Sequence, residues 1–208
     1  QNELVLYKGS MPVKRVKYDG DACGPYADRL DVSNLQATAC GPDVCQRSYT
    51  LGGQQWLDIG MMAPIGGYQI YQAWYLSADG QIQPHVWSRR YHCQITHDHH
   101  AYWRLDFDVN GFPNDQIFVY DSNRPNEGWG PGWHKFTNET DQTKNRGTNR
   151  RWFVRDHSTS HGVWVFPGGD DGSADSWSNR DMAGRLYHGA EDEPWPFGAN
   201  ELGYGNNE

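Results

Sequence analysis

The residues best suited to chemistry lie between Thr96 and Val109. His97 and His99 are two positions apart, and a β-strand projects every second side chain to one face, so the two imidazoles aim at one point. Converging imidazoles can share a metal ion, and imidazole suits copper by softness and geometry. The same spacing also describes a solvated strand end or an adventitious metal site, and both readings stand at this stage. Beyond the histidines, Trp103, Leu105, Phe107 and Val109 alternate with Tyr102, Arg104, Asp106 and Asp108, an apolar row against a polar one. The histidines therefore belong to a scaffold strand.

Stepping from that strand to its neighbours, further strand patterns cover 3–8, 13–18, 55–62, 68–76, 81–88, 99–109, 116–121, 151–155, 162–166 and 182–187, and no comparable stretch has helical periodicity. Ala78-Asp79-Gly80 and Asn110-Gly111 separate such runs, and Gly and Asn accept positive φ, so hairpins and antiparallel pairing follow. At 208 residues the chain predicts a single all-β domain over 1–208, an antiparallel β-sandwich. The polar, Gly- and Trp-rich stretch 121–149 reads as a long surface loop.

Composition narrows the partners. A net charge of −8 disfavours nucleic acid, since the basic stretch from Lys144 to Arg151 stands alone. No segment approaches the roughly 20 apolar residues of a membrane helix, so no membrane partner is expected. The first residue is Gln1, and Asn138-Glu139-Thr140 forms a glycosylation sequon, which together predict a secreted, extracellular chain modified at Asn138. Cys23, Cys40, Cys45 and Cys93 lack paired zinc-site spacing; one or two disulfides, with three possible pairings, fit them better, and buried free thiols are the alternative. Neither a GxSxG nor a phosphate-loop motif occurs.

The strand from His97 through Arg104-Leu105-Asp106-Phe107-Asp108-Val109-Asn110-Gly111 closely resembles the copper-binding strand of the copper-containing amine oxidases. Upstream, Gly67-Tyr68-Gln69-Ile70-Tyr71-Gln72-Ala73-Trp74-Tyr75-Leu76-Ser77-Ala78-Asp79-Gly80 resembles the same family's strand and hairpin around the tyrosine converted to topaquinone. The resemblance makes Tyr68 the cofactor precursor and catalytic residue, and His97 and His99 two copper ligands. His188, followed by acidic residues and Trp195, resembles the third ligand, with His85 and His92 as substitutes. Asp106 and Asp108, with the carbonyl of Phe107, match positions that bind a structural calcium in many relatives, and hard oxygens suit that ion. The region of Cys23 and Cys45 resembles the disulfide-bearing segment upstream of the cofactor.

The departures are equally specific. Gly67 and Gln69 replace the Asn and the acidic residue that flank the family's cofactor tyrosine. The family's catalytic Asp has no counterpart, as Glu3, Asp19 and Asp21 do not match its position, and the shorter interval between Tyr68 and His97 removes the dimer-embracing arm. The resemblance thus implies weak or lost oxidation of primary amines. A plain packing role for Tyr68 against Tyr71 or Trp74 remains open, as does a solvated strand face for Asp106 and Asp108. A different class of function is also open: Trp129, Trp133 and Trp177 in Gly- or Ser-rich loops could stack on polysaccharide, or the chain could be an extracellular structural protein.

Overall fold

Every regular element among the described residues is a β-strand. The computed structural model describes 5–18, 26–28, 44–65, 68–89, 97–111, 114–168 and 181–185, with the backbone alone described at 8, 10–18, 26–28, 63–65 and 97–102. The chain gathers into two compact units, Ser10–Trp103 and Gln1–Gly9 with Arg104–Glu208. The first two strands are β1 (Leu6–Tyr18) and β2 (Tyr26–Asp28), and β7 (His97–Phe107) joins them in a sheet of order β2-β1-β7. Residues 6–8 and 13–18, from runs expected as separate strands, fall in this one longer β1, and Val5 precedes it.

Within Ser10–Trp103, a meander of order β3-β4-β5-β6 joins β3 (Cys45–Leu51), β4 (Gln54–Ile65), β5 (Tyr68–Ser77) and β6 (Ile82–Arg89), antiparallel throughout. Gly52 and Gly53 close the first hairpin at φ 59° and 81°, the doubly positive pair that a two-residue turn between twisted strands requires. The expected 78–80 hairpin is present, closed by Gly80 N–H donating to the Ser77 carbonyl at 3.0 Å. Two prolines sit where sheets tolerate them. Pro84 lies on the edge strand β6, and Pro64 lies on β4 beyond the reach of β3, whose register ends at Cys45 opposite Gly60.

In the second unit, β8 (Asp115–Tyr120), β9 (Trp133–Lys135), β11 (Arg151–Asp156) and β12 (Gly162–Val165) form a sheet of order β12-β11-β8-β9. A separate ribbon pairs β10 (Thr140–Gln142) with β13 (Met182–Gly184). Trp152, Val154 and Val119 turn inward from paired positions of β11 and β8, as the alternating burial of β11 requires. The indole of Trp152 donates to Gln142 Oε1 at 2.9 Å, satisfying its one polar atom. The stretch 121–149 is therefore not simply a surface loop, because β9 and β10 lie inside it. Asp121 secures its base, its buried carboxylate accepting from Arg150 Nε at 2.9 Å and from Asn123 N–H at 3.0 Å.

Candidate functional site

Cross-strand pairing decides which side chains share a face. Tyr68 stands opposite Ile65 on β4, and the same face of β5 continues through Ile70, Gln72, Trp74 and Leu76. It is the buried face at its start, with Tyr68 6% exposed and Ile70 2%. Trp74 meets Trp103 of β7 edge to face, ring centroids 5.1 Å apart at 73°. That contact sets the face of β5 bearing Tyr68 against the row of β7 bearing Trp103. His97 and His99 occupy the same strand parity as Trp103, six and four residues before it. Their backbone is on β7 as expected, whereas their side chains lie outside the described residues.

The opposite face of the meander carries polar chemistry that the sequence did not single out. Asp58 of β4 pairs with Arg47 of β3 on one side and Tyr75 of β5 on the other. Its carboxylate is 4% exposed, and Oδ2 accepts from the Arg47 guanidinium at 2.8 Å while Oδ1 is buried with no hydrogen-bond partner. Hydrogen bonding to Asp58 raises the Arg47 pKa, and burial, reinforced by the Asp58 charge, raises that of Tyr75. The imidazole of His85 stacks between Tyr75 at 4.5 Å and Trp87 at 5.1 Å. His85 pairs with Ala73, so it faces away from Tyr68, and this strand geometry removes it as a substitute copper ligand on the Tyr68 face. Tyr71 also sits on the His85 side, against Trp87 at 5.5 Å, so it is not the packing partner of Tyr68. The Gly52-Gly53 turn was the available sign that β3 existed to supply Arg47.

The second unit holds the expected calcium residues. Asp106 is ion-paired with Arg104 at 3.4 Å, two positions along one face of β7. Asp108, just past the strand, keeps Oδ1 buried and without a hydrogen-bond partner. Asp115 accepts from Val109 N–H at 3.0 Å, and burial pushes its carboxyl up, with the Asp108 and Asp156 charges adding to the effect. Asp156 is 1% exposed, and the hydroxyls of Thr159 and Ser158, with Asn110, hold its carboxyl well below the ordinary range. Phe107 is half-buried on the strand between the two aspartates. Among the described residues, no group of three or more His, Cys, Asp or Glu is placed to hold a metal.

Asn138 is exposed in a bend between β9 and β10. Cys45, at the head of β3, is disulfide-bonded, and Cys23, Cys40 and Cys93 lie outside the described residues. His92, His188 and Trp177 also lie outside them. Of the tryptophans expected in loops, Trp129 is in one, while Trp133 belongs to β9 opposite Tyr120, because strand pairing continues into the stretch read as loop.

No protein-family description matches the sequence, and no curated protein matches it. Among solved structures, the fold is similar to that of a copper-containing benzylamine oxidase from Hansenula polymorpha, with a TM-score of 0.55 at 13% identity. The similarity covers 77% of this chain, more than either compact unit contains, and 38% of the oxidase chain. At that identity the likeness is one of fold: this chain is built of antiparallel sheets, and the oxidase domain is likewise β-rich.

Proposed function

We propose that this chain is a secreted copper-binding protein on an amine-oxidase-like β fold, with weak or absent oxidation of primary amines. The observation that carries the reading is the Trp74–Trp103 contact. Tyr68 shares the face of β5 that carries Trp74, and His97 and His99 share the strand parity of Trp103 on β7, so the contact supports a reading in which the phenol and the histidines belong to facing rows. The donor set fits the metal: imidazoles at His97 and His99, with His188 as the third, are borderline ligands suited to Cu(II). Bound copper would supply oxygen activation, and oxidation of the neighbouring phenol would give the quinone cofactor that the family uses.

The chain's own residues define the remainder. Burial of Tyr68 keeps water from its ring, and its backbone is fixed in the β4–β5 ladder through Ile65. Gln69, the residue after it, sits on the other face of β5 opposite Arg89 and Pro64. The position that is acidic in the family thus offers an uncharged amide here. None of Glu3, Asp19 and Asp21 matches the position of the family's proton-abstracting Asp, and general-base catalysis contributes about 10²–10⁴-fold, which is the basis for expecting weak turnover. Calcium at Asp106, the Phe107 carbonyl and Asp108 belongs to the same reading, supported by the unpartnered Asp108 Oδ1 and opposed by the Arg104–Asp106 pair.

The test is metal analysis of chain purified without chelators and reconstituted with copper. One copper per chain, lost in His97→Ala and in His99→Ala and weakened in His188→Ala, is the expected result. Failure to retain copper in the unaltered chain would end the metal reading. Robust peroxide release from benzylamine, abolished by Tyr68→Phe, would overturn the expectation of weak catalysis and make the chain a working oxidase.

A further inference from the structure

The four-stranded sheet of the second unit turns Trp152, Val154 and Val119 to the inside, and its other face collects aromatic rings and cations. Phe118 and Tyr120 of β8 stand opposite Phe153 and Arg151 of β11, with Trp133 of β9 beyond them on one side and Trp164 of β12 on the other. The rings touch in sequence: Trp129 to Phe118 at 5.1 Å, Phe118 to Trp133 at 6.2 Å, Trp133 to Trp164 at 5.2 Å, and Trp164 to Phe166 at 6.1 Å. The inner rings are covered by the outer ones. Phe118 is 3% exposed, whereas Trp129 is 49%, Trp164 37% and Phe166 61% exposed. A soluble domain rarely leaves so many large rings in one patch without use for them.

The cations on this face are held by rings, not by carboxylates. The Arg151 guanidinium lies 4.7 Å from the Trp164 ring and 4.9 Å from that of Tyr120; Arg155 lies over Phe118 at 5.9 Å, and Lys135 over Trp129 at 5.7 Å. None of the three has a carboxylate partner among the described residues, and the Nε of each arginine is buried without an acceptor. Arg155 has one hydrogen bond, to the Ser160 hydroxyl at 3.2 Å. Glu127, two residues before Trp129, is already engaged by His134 and Arg124. In a chain of net charge −8, this is a local concentration of unneutralised positive charge set among flat apolar rings.

We propose that this face binds an acidic polysaccharide, with Trp129, Trp164 and Phe166 stacking on sugar rings and Arg151, Arg155 and Lys135 meeting their carboxylates. A uronic-acid polymer combines the two features that the face complements: pyranose rings with an apolar C–H side, and a regular row of anions. Nucleic acid is the poorer match, because its phosphate spacing calls for a broad basic envelope, and the acidic chain outside this patch repels it. The proposal is independent of copper, and the two can fail separately.

Affinity electrophoresis of the full chain in gels containing polygalacturonate, hyaluronan, neutral xylan or single-stranded poly-dT tests it. Retardation by at least one of the acidic polysaccharides, relieved by salt and absent with xylan and poly-dT, is expected. Arg151→Gln, which removes a charge paired with a carboxylate, and Phe166→Ala, which removes a stacking contact, should each weaken binding about tenfold. Trp87→Ala, an equally exposed indole in the first unit, should leave it unchanged. Circular dichroism of every variant identifies misfolding, and the highly exposed Phe166 gives a substitution that spares the core. Absence of retardation by both acidic polymers, equal retardation by xylan or poly-dT, or folded Arg151→Gln and Phe166→Ala variants of undiminished affinity would each overturn the proposal.

Discussion

Replacing Trp74 and Trp103 by Leu, singly and together, tests the contact that relates the Tyr68 face to the histidine strand. Truncation of a fully buried Trp to Ala costs about 3–5 kcal/mol. Both indoles are half-buried and Leu retains much of the apolar area, so each single change should cost about 1–2 kcal/mol. The pair geometry, 5.1 Å between centroids at 73°, is the favoured edge-to-face arrangement, which adds about 1 kcal/mol beyond area burial. The double variant should therefore be about 1 kcal/mol more stable than the sum of the single losses predicts. In a chain of this length each kcal/mol moves the melting temperature by about 2–4 °C. Urea unfolding of the four proteins, followed by far-ultraviolet circular dichroism, gives the coupling directly. Additivity to within about 0.3 kcal/mol would mean that the two strands are not packed through these rings. Copper content read on the same four proteins adds a functional measure: if both single variants keep full copper, the contact does not position the proposed site.

Gly60→Ala should destabilise the first unit by about 1–3 kcal/mol, because an added Cβ would stand 2.7 Å from the Tyr71 hydroxyl oxygen and 2.8 Å from Ala73 Cβ; an unchanged urea midpoint would contradict this close approach. Two carboxyls in the second unit should shift stability with pH in opposite senses. Burial raises Asp115, so the folded state holds its proton more tightly, favouring folding below the ordinary 3.8 and losing that contribution as the pH rises through the folded value. Asp115→Asn should accordingly raise the melting temperature at neutral pH and flatten its decline from acid to neutral. Donors from Thr159 and Ser158 depress Asp156, so its stabilisation is complete above 3.8 and is lost as the pH falls toward the folded value. Asp156→Asn should be less stable at neutral pH, with the difference narrowing in strong acid; a constant difference across the range would refute that assignment.

The long strands were legible because their periods were. The alternation from His97 to Val109 became β7, and the run from Tyr68 became β5, each with the expected turn after it. Strand β3 escaped notice because it lies at a sheet edge with most of its side chains exposed, so Cys45–Leu51 carries no sustained apolar row. The three-residue strands β9 and β10 are too short for a period, and only pairing with β8 and β13 makes them strands. Parity put Trp103 and the histidines in one row, but which face of β5 that row meets is a tertiary fact, settled by Trp74. The Asp58 and Arg47 pair and the cation-bearing aromatic face are likewise products of register, joining residues from strands that hold no common motif.

Pro84 has a consequence for crowded solutions. An unpaired strand edge is a template on which another chain can lay its own backbone, and among the described residues β6 is such an edge, with Ile82 and Trp87 exposed along it to reward the encounter. Proline has no N–H to offer, so any strand arriving in register at that point would bury a carbonyl with nothing to receive. The ladder along β6 thus carries an interruption at the centre of its most adhesive stretch. Fibre growth by edge-to-edge addition at β6 would have to begin with a missing hydrogen bond, so Ile82 and Trp87 can stay exposed there without becoming a seam for self-assembly.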